Sequence, residues 1–512
     1  MIRKTTLHLL LLLTAFALTS CSGLPKGTGG GGGGGNGTVS FTLVADTLPA
    51  SPSLLSFRVS ILSVTLTPAT GTAITLTPAT PIVVDLMRLQ SDTAFLGSLA
   101  SVPAGTYTVS VSLSGSSITL LNDTGSPLLI GNGGCPVNLV CSDSISALGS
   151  PSVASFTLTV SSATNQGVEL DFNLNNAITI SNGTLTVNFA PTSPAPGVLS
   201  AFTLPRNNAN LASGQLELIE DFTGVVNVSG TNVTITSPTR GTLSATITTG
   251  TGGTFFDQSP APGTLCANAP STTSCAANGQ IASVDAFLNS NGTLTLKEFE
   301  PLTATQQDFV EGIVVLVAPP NQFTILVTDE IQAASGSLIS SLTPGQFLTV
   351  NIPAPKQFFV DTKGLAVGSL QGTDFTFFQG ATDTTPLFTG QDVAVNITAF
   401  TAAAGAGAVA SATATDVTLR WSRFIAGIEN TSSSLVNVNN LPTYFGASSA
   451  QAFFGAQVFN GTLGADGITN LDGVTDAGSL NAALPVALRA LFLESSTGSA
   501  PVPFIAAKIR QQ

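Results

Sequence analysis

Apolar and polar residues alternate along most of the chain, as in Gly105–Ser114 (GTYTVSVSLS), Gly183–Pro191 (GTLTVNFAP) and Phe323–Ile331 (FTILVTDEI). A period of two places successive side chains on opposite faces of a strand, and Gly, Pro and Asn separate the alternating runs. Only Asp85–Ala100 and Leu480–Phe492 are expected to form short helices. The pattern therefore predicts an all-β protein.

Composition indicates how many sheets there are and how they stay soluble. Charged residues make up only 8% of the chain, whereas Gly (51) and Pro (29) are abundant. Thr and Ser at outward strand positions would keep the sheets soluble without charge. A chain of 512 residues is too long for one hydrophobic core, so we expect several β domains.

The first twenty residues have the features of an export signal. Arg3 and Lys4 precede the apolar run Leu7–Leu18, which is shorter than the ~20 residues of a membrane span and typical of a signal peptide. The following Leu18–Cys21 (LTSC) resembles the lipobox of bacterial lipoproteins. The resemblance implies cleavage of residues 1–20 and diacylation of the Cys21 thiol. The alternatives are an ordinary signal peptide cut nearby and a signal anchor.

A glycine tract separates Cys21 from the first strand. Residues 21–37 include the unbroken run Gly29–Gly35 and cannot form a core. Flexible residues over Ser22–Gly37 would span roughly 20–24 Å, which predicts a tether. The expected membrane contact is the acyl chains, because each buried methylene contributes about 0.8 kcal/mol. Ser22 after the cysteine favours the outer membrane, and the periplasmic or surface face stays open.

Loss of the signal peptide changes the available chemistry. His8 is the only histidine, so the mature chain would lack imidazole, which excludes Ser-His-Asp and Cys-His catalysis and histidine metal sites. Loss of Arg3 and Lys4 leaves 13 basic against 28 acidic residues and changes the net charge from −13 to −15. So acidic a chain is a poor partner for nucleic acid or anionic headgroups.

Four further cysteines form two local pairs. Cys135 and Cys141 are spaced C-x5-C, and Cys266 and Cys275 are spaced C-x8-C, each within a loop rich in Gly, Pro, Ser and Asn. In an oxidising compartment these spacings predict two short-range disulfides. Free thiols are the alternative, and the spacings do not fit a zinc site.

The region after the tether resembles a known family of bacterial lipoproteins. It contains the turn and strand Val102–Val109 (VPAGTYTV), the element Val84–Leu89 (VDLMRL) and the run Val168–Pro191. These features are similar to those of domain of unknown function 4382 over about Gly37–Pro191. The resemblance implies an immunoglobulin- or transthyretin-like β-sandwich, which we place at 38–195, and it brings no catalytic residues.

Two short motifs recur in the rest of the chain. A Phe-then-Gly strand opening begins at Asp221, Asp308 and Arg423, and G-Q-x-x-x-V-[N/D] begins at Gly279, Gly345 and Gly390. With the closing strand in Phe504–Arg510, they resemble the small β-barrel repeats of domain of unknown function 5666. We therefore predict about three divergent barrel-like modules, at 212–303, 304–420 and 421–512.

Several carboxylates are candidates for chemistry. Glu217, Glu220 and Asp221 could supply a pair of carboxylates for glycoside hydrolysis. Because they lie on a predicted strand, we interpret them instead as a solvated face. Glu169 and Asp171 are likewise expected to face outward.

The loop Ala465–Gly478 places Asp466, Asn470, Asp472 and Asp476 close together. Their oxygens could hold Ca²⁺, although the EF-hand pattern fails at its first and last positions. Asx-rich turns explain the same residues without a metal. No other cofactor is expected.

Exposed aromatic rings would indicate glycan binding, because such rings combine an apolar face with a polar edge. Trp421 is the only Trp, and Tyr107 and Tyr444 are the only Tyr residues. We expect Tyr107 to be structural and Trp421 to pack beside the opening of the last module. A ligand platform of Trp421 and Tyr444 is the alternative.

These observations favour a non-catalytic, lipid-anchored protein of the cell envelope with a structural, adhesive or scaffold role. The alternative is a glycan- or small-ligand-binding surface lipoprotein. An enzyme is disfavoured, because repeated modules indicate an array rather than one catalytic domain. The sequence does not identify a protein or glycan partner.

Overall fold

The computed structural model describes residues 35–46, 49, 51–146, 148–191, 197–206, 211–248, 253–256, 276–354, 356–362, 365, 378–405, 407–445, 454–460, 468–493 and 504–512. Strands account for 59% of the structure and helices for 4%, which confirms the all-β prediction. Residues Gly35–Gln512 form one compact unit. Cys21 and the predicted signal peptide lie outside the described residues. No helix in the described part of the chain is long and apolar enough to cross a membrane.

The N-terminal region is a β-sandwich of two sheets. One sheet contains β1 (Gly37–Asp46), β5 (Ala94–Val102), β11 (Asn165–Asn173) and β14 (Leu199–Thr203), in the order β14–β11–β1–β5. The other contains β2 (Ser53–Pro68), β3 (Ile74–Leu76), β4 (Ile82–Asp85), β6 (Gly105–Leu121), β9 (Val140–Ile145) and β10 (Ser152–Val160). Its order is β10–β6–β2–β3, with β4 paired to β2 and β9 to β6.

The alternating residues of both sheets meet in one core. Phe41, Phe57 and Phe172 are fully buried within it, and burying such side chains contributes about 1.5–3 kcal/mol each. The Tyr107 hydroxyl donates a 2.8 Å hydrogen bond to the carbonyl of Pro103, so this residue fixes the entry into β6. The sandwich also includes β14, which lies beyond the predicted end of the domain at residue 195.

A smaller sheet is attached to the sandwich. It contains β7 (Leu128–Ile130), β8 (Gly133–Cys135), β12 (Ile178–Ser181) and β13 (Thr184–Val187), and the helix α1 (Leu174–Ala177) precedes β12. A disulfide joins Cys135 to Cys141, as the spacing predicts, and links β8 to β9. The other predicted pair, Cys266 and Cys275, lies outside the described residues.

Three further sheets follow, one within each predicted module range. Module 1 contains β15 (Gln215–Ser229), β16 (Asn232–Ser237), β17 (Gly241–Thr246), β18 (Phe255–Phe256), β19 (Ile281–Asn289) and β20 (Leu294–Thr303). Module 2 contains β21 (Phe309–Ala318), β22 (Gln322–Ile331), β23 (Phe347–Asn351), β24 (Gln357–Val360), β25 (Asp392–Thr401), β26 (Ala410–Ala414) and β27 (Asp416–Arg420). Module 3 contains β28 (Ser422–Thr431), β29 (Leu435–Asn439), β30 (Phe454–Gln457), β31 (Asn470–Asp472), β32 (Val486–Phe492) and β33 (Phe504–Gln511).

The three modules share one strand order. It is β17–β16–β15–β19–β20 in module 1, β23–β22–β21–β25–β26 in module 2 and β30–β29–β28–β32–β33 in module 3. In each module a parallel pairing links the last of these strands to the first. This pairing has one residue pair in module 1, four in module 2 and two in module 3. The modules are therefore structural repeats.

The G-Q motifs form the same turn three times. Gly279, Gly345 and Gly390 have φ of 80°, 94° and 91°, a region that favours glycine. The next residue is a Gln whose side chain accepts a hydrogen bond from the backbone N–H three residues earlier, at 2.6, 3.1 and 3.0 Å. Because Gly345 and Gly390 both lie in module 2, the motif marks a turn and does not occur once per module.

The two predicted short helices are wrong. Within Asp85–Ala100 only the 3₁₀ turn Arg88–Gln90 is helical, and Leu480–Phe492 contains β32. Every residue of β32 is buried, so both faces of this strand are covered. A strand covered on both faces has a continuous apolar run instead of alternation, and a short run of this kind cannot be told from a buried helix by its pattern.

Candidate functional site

Charged side chains from the sandwich and all three modules meet in the interior, and we call this group the central ion cluster. Its cations are Arg88, Arg420, Arg423, Arg489, Lys508 and Arg510, and its anions are Asp92, Glu220, Asp221, Glu300, Glu311, Asp361, Asp392 and Asp472. None of them is more than 9% exposed. Charges this deep are tolerated only when they are paired and hydrogen-bonded.

Asp221 reaches the cluster because its strand is irregular. The pairing of β15 with β19 shifts register between Ile219 and Phe222, and Asp221 has a φ of 53° there. Its backbone N–H donates to the Asp285 carboxylate at 2.8 Å. A bulge of this kind redirects a side chain out of the normal alternation, and here it turns the carboxylate towards the other modules.

The Asp221 carboxylate contacts four arginines. Its Oδ2 lies 2.7 Å from Arg88 Nη2 and also contacts Arg423, and its Oδ1 lies 3.2 Å from Arg420 Nη2 and 3.4 Å from Arg489 Nη2. These arginines belong to the sandwich, module 2 and module 3. One carboxylate of module 1 therefore joins it to every other region.

Arg420 at the end of β27 links module 2 to module 1. Its Nη1 lies 2.5 Å from Asp361 and 3.1 Å from Glu300, and its Nε lies 3.7 Å from Glu311. The Trp421 indole donates to the same Asp361 carboxylate at 3.1 Å. Several carboxylates thus offset the cost of burying one guanidinium.

Arg423 at the start of β28 links module 3 to the sandwich and to module 2. Its Nε donates to Asp92 at 2.6 Å and its Nη1 to Asp392 at 3.1 Å. Burial opposes ionisation of Asp92, but Arg423 and Arg489 outweigh it and lower the pKa of that carboxyl. Burial, with Glu311 nearby, instead raises the pKa of Asp392 to about 7.

The C-terminal strand β33 supplies the other end of the cluster. Lys508 Nζ lies 2.5 Å from Glu220 and 3.6 Å from Asp472, and Arg510 Nε lies 2.7 Å from Asp472. Arg510 Nη2 also donates to the Thr93 hydroxyl of the sandwich at 2.7 Å. The last residues of the chain therefore hold its first domain.

The solvated-face interpretation of the acidic residues is wrong. Glu217, Glu220 and Asp221 are 2%, 3% and 1% exposed, and Glu169 and Asp171 are 2% and 6% exposed. Packing of the modules against the sandwich covers faces that strand alternation alone would assign to solvent. Arg206 pairs with Glu169 at 2.5 Å and with Asp171 at 3.7 Å at the edge of this region.

The sequence interpretation missed the cluster cations. Arg88, Arg489, Lys508 and Arg510 lie in the apolar runs VDLMRL, VALRALF and FIAAKIR. A basic residue inside such a run is the available signal, because Lys and Arg are almost never fully buried unless paired. In a chain with 15 basic residues, this placement is informative.

The proposed Trp421–Tyr444 platform does not form. Trp421 is 0% and Tyr444 is 8% exposed, and the Trp421 ring packs in the core of module 2. Buried indole and phenol rings cannot present a stacking face to a sugar. The expectation that Trp421 packs beside the opening of the last module agrees with the 2.7 Å hydrogen bond from Arg423 to its carbonyl oxygen.

The described candidate calcium residues are engaged in other contacts. Asp472 binds Arg510 and Lys508, the Asn470 amide donates to Glu220 at 3.1 Å, and Asp476 caps a short 3₁₀ helix. Asp466 lies outside the described residues. Among those that are described, no group of three or more His, Cys, Asp or Glu is arranged to hold a metal ion.

An open groove of about 770 Å³ lies between the sandwich and module 3. Its polar lining includes Ser53, Asp123, Asn439 and Thr443. The Asp123 carboxylate already accepts hydrogen bonds from Ser53 at 2.6 Å and Thr443 at 2.8 Å. The groove is thus shaped by contacts between the two regions.

Comparison with known proteins identifies one domain. A domain of unknown function (DUF4382) is found at residues 36–191, which agrees with the resemblance of the N-terminal region. No curated protein and no solved structure matches the chain.

Proposed function

We propose that this protein is a non-catalytic component of a bacterial cell envelope with a structural, adhesive or scaffold role. The observation that carries the proposal is the central ion cluster, which joins the sandwich and three modules into one compact unit. Its buried cations are paired with carboxylates of the same chain. The cluster thus holds the four regions together.

We infer that the chain is exported and held by acyl chains on Cys21, in the outer membrane. The support is the lipobox-like Leu18–Cys21 followed by the glycine tract. We also infer that the three modules are divergent relatives of domain of unknown function 5666. Their common strand order supports a shared origin.

The anchor is tested by labelling cells with a fatty-acid analogue. The wild-type chain should be labelled and should fractionate with membranes, and Cys21→Ala should lose both properties. Cys141→Ala is the matched control, because it also removes one cysteine but should keep the label. Persistent labelling of Cys21→Ala would overturn the anchor. Digestion by protease added to whole cells would favour adhesion, and protection would favour an internal envelope role.

A second candidate function is binding of a glycan or small ligand, and the groove between the sandwich and module 3 favours it. A glycan array probed with the purified protein tests this candidate. Binding that is lost in Asn439→Ala would support it. The absence of binding to any polysaccharide would leave the scaffold role.

A further inference from the structure

Lys508, Asn470 and Glu220 form a buried triad where module 3 meets module 1. Lys508 Nζ lies 2.5 Å from Glu220 Oε2, and Asn470 Nδ2 donates to Glu220 Oε1 at 3.1 Å. The three residues are 0%, 4% and 3% exposed. One carboxyl group therefore bridges an amine and a carboxamide in a site that is shielded from water.

The strand register places the amine beside the amide. Asn470 and Lys508 are paired residues of β31 and β33, which are adjacent and parallel. Paired residues in neighbouring strands project their side chains to the same face of the sheet. A fixed juxtaposition of this kind replaces a bimolecular encounter and lowers the barrier to reaction between the two groups.

We propose that Lys508 and Asn470 become joined by an intramolecular amide bond, with Glu220 as the acid–base group. Glu220 takes a proton from the Lys508 ammonium, and the neutral Nζ attacks Asn470 Cγ. The Nζ–Cγ bond forms, the Cγ–Nδ2 bond breaks and ammonia leaves. Of the three protons on the ammonium, one stays on the new amide, one leaves with the ammonia and one remains on Glu220. No external reactant is required.

Burial makes the Glu220 carboxylate a better proton acceptor. Burial raises the pKa of Glu220, while Lys508 and Arg489 oppose this shift. A lysine becomes a nucleophile when it is held in a desolvated site beside a base. Asp472 also faces Lys508, at 3.6 Å, but it is held by Arg510 at 2.7 Å. Glu220 contacts both Nζ and Nδ2 and can therefore transfer a proton between them.

The bond would fasten the last strand of the chain to β31. A crosslink between residues 470 and 508 restricts the unfolded chain and thereby stabilises the folded state. Such a fastening suits a protein that resists force or proteolysis. The proposal does not depend on the lipid anchor, and failure of either one leaves the other standing.

Peptide mapping of the purified full-length protein tests the proposal. A proteolytic digest should contain a branched peptide that joins the Asn470 and Lys508 segments and is lighter than their sum by one ammonia. Trypsin should not cleave after Lys508. Linear peptides alone, with cleavage after Lys508, would overturn the proposal.

Two variants separate the crosslink from a simple ion pair. Lys508→Arg keeps the positive charge beside Glu220, but a guanidinium is a poor nucleophile. Its intact mass should exceed that of wild type by the substitution plus one ammonia, a difference independent of N-terminal processing. Asn470→Asp should release water instead of ammonia. A branched peptide that persists in Lys508→Arg would refute the assignment.

A second lysine–asparagine contact provides the matched control. Lys356 Nζ lies 2.6 Å from Asn321 Oδ1, but this pair is exposed and its described contacts include no bridging carboxylate. Lys356→Arg should change the mass only by the substitution, and the Asn470–Lys508 branched peptide should remain. Loss of that peptide in Lys356→Arg would contradict the proposed site.

Discussion

Asp221 and Arg423 occupy the same place in two of the repeats, immediately before the Phe of the strand opening. They carry opposite charges and contact each other in the central ion cluster. The third copy has Asp308 at this place, and its carboxylate instead accepts hydrogen bonds from the Ser337 hydroxyl and the Leu338 N–H, both at 2.7 Å. The same repeated position therefore joins two modules through Asp221 and Arg423, whereas in module 2 Asp308 holds a loop of its own module.

Asp221→Asn should be strongly destabilising. The substitution keeps the shape of the side chain but leaves several arginines facing a neutral amide, so we expect a loss of about 3–5 kcal/mol in the free energy of unfolding. Urea denaturation measures this loss. Asp476→Asn is the control, because Asp476 is exposed and caps only a short turn. Equal losses in the two variants would contradict the role of Asp221.

The buried carboxyls predict a pH dependence of stability. Burial is the main cause that raises the pKa of Asp171 and of Asp392 to about 7. Between the unfolded pKa near 4 and this folded pKa, the native state binds more protons, so the free energy of unfolding should fall as pH rises from 5 to 8, by roughly 2–3 kcal/mol per group. The pKa of Asp92 is lowered, so its ionised form stabilises the native state. This stabilisation is lost only at more acidic pH.

Urea denaturation at pH 5 and pH 8 checks the sign of this dependence. Asp171→Asn removes one titrating group and should reduce the difference between the two pH values. A protein that is more stable at pH 8 than at pH 5 would show that the ionised carboxylates are better compensated than their burial implies.

At the scale of elements, the Phe-then-Gly motif has a steric cause. A Cβ at Gly224 or Gly312 would overlap a backbone carbonyl oxygen of the neighbouring strand, that of Thr236 or Leu326. At Gly427 the overlap would be with the side chain of Asn439. The glycines therefore allow the opening strand to pack closely against its partner.

Gly312→Ala should destabilise the protein more than Gly427→Ala. A backbone oxygen in a strand pair cannot move away without breaking the ladder, so the first substitution should cost about 1–3 kcal/mol, as overpacking typically does. A side-chain amide can rotate, so the second should cost less than about 1 kcal/mol. Thermal unfolding distinguishes the two variants, and the reverse order would contradict this explanation.

At the scale of the whole molecule, the central ion cluster divides its charges unequally among the regions. Module 1 contributes three anions (net −3), module 2 three anions and Arg420 (net −2), and module 3 four cations and Asp472 (net +3). The charges of Arg88 and Asp92, which both belong to the sandwich, cancel. Each module alone would carry unbalanced buried charge, and assembly reduces the imbalance by placing the cations of module 3 against the anions of modules 1 and 2.

We therefore expect the sandwich and the three modules to unfold together in one transition. Arg88→Met removes the main cation of the sandwich and should lower the midpoint of the whole transition, with a loss of about 3–5 kcal/mol. Lys356→Met, at a half-buried position outside the cluster, should have little effect. Calorimetry checks this, and a separate transition that keeps the wild-type midpoint would mean that the regions unfold independently.

The sequence determined the local structure, because alternation, turn glycines and cysteine spacing act over a few residues. It predicted the strands and the Cys135–Cys141 disulfide, and it remains the basis for the proposed anchor at Cys21. Only the tertiary structure determined which charged residues are buried and which partners they have. Alternation assigns a side chain such as Glu220 to a face of its strand, but whether that face meets water depends on what packs against it. Lys508 lies 288 residues from Glu220 in the chain, and no local pattern encodes a contact at that separation.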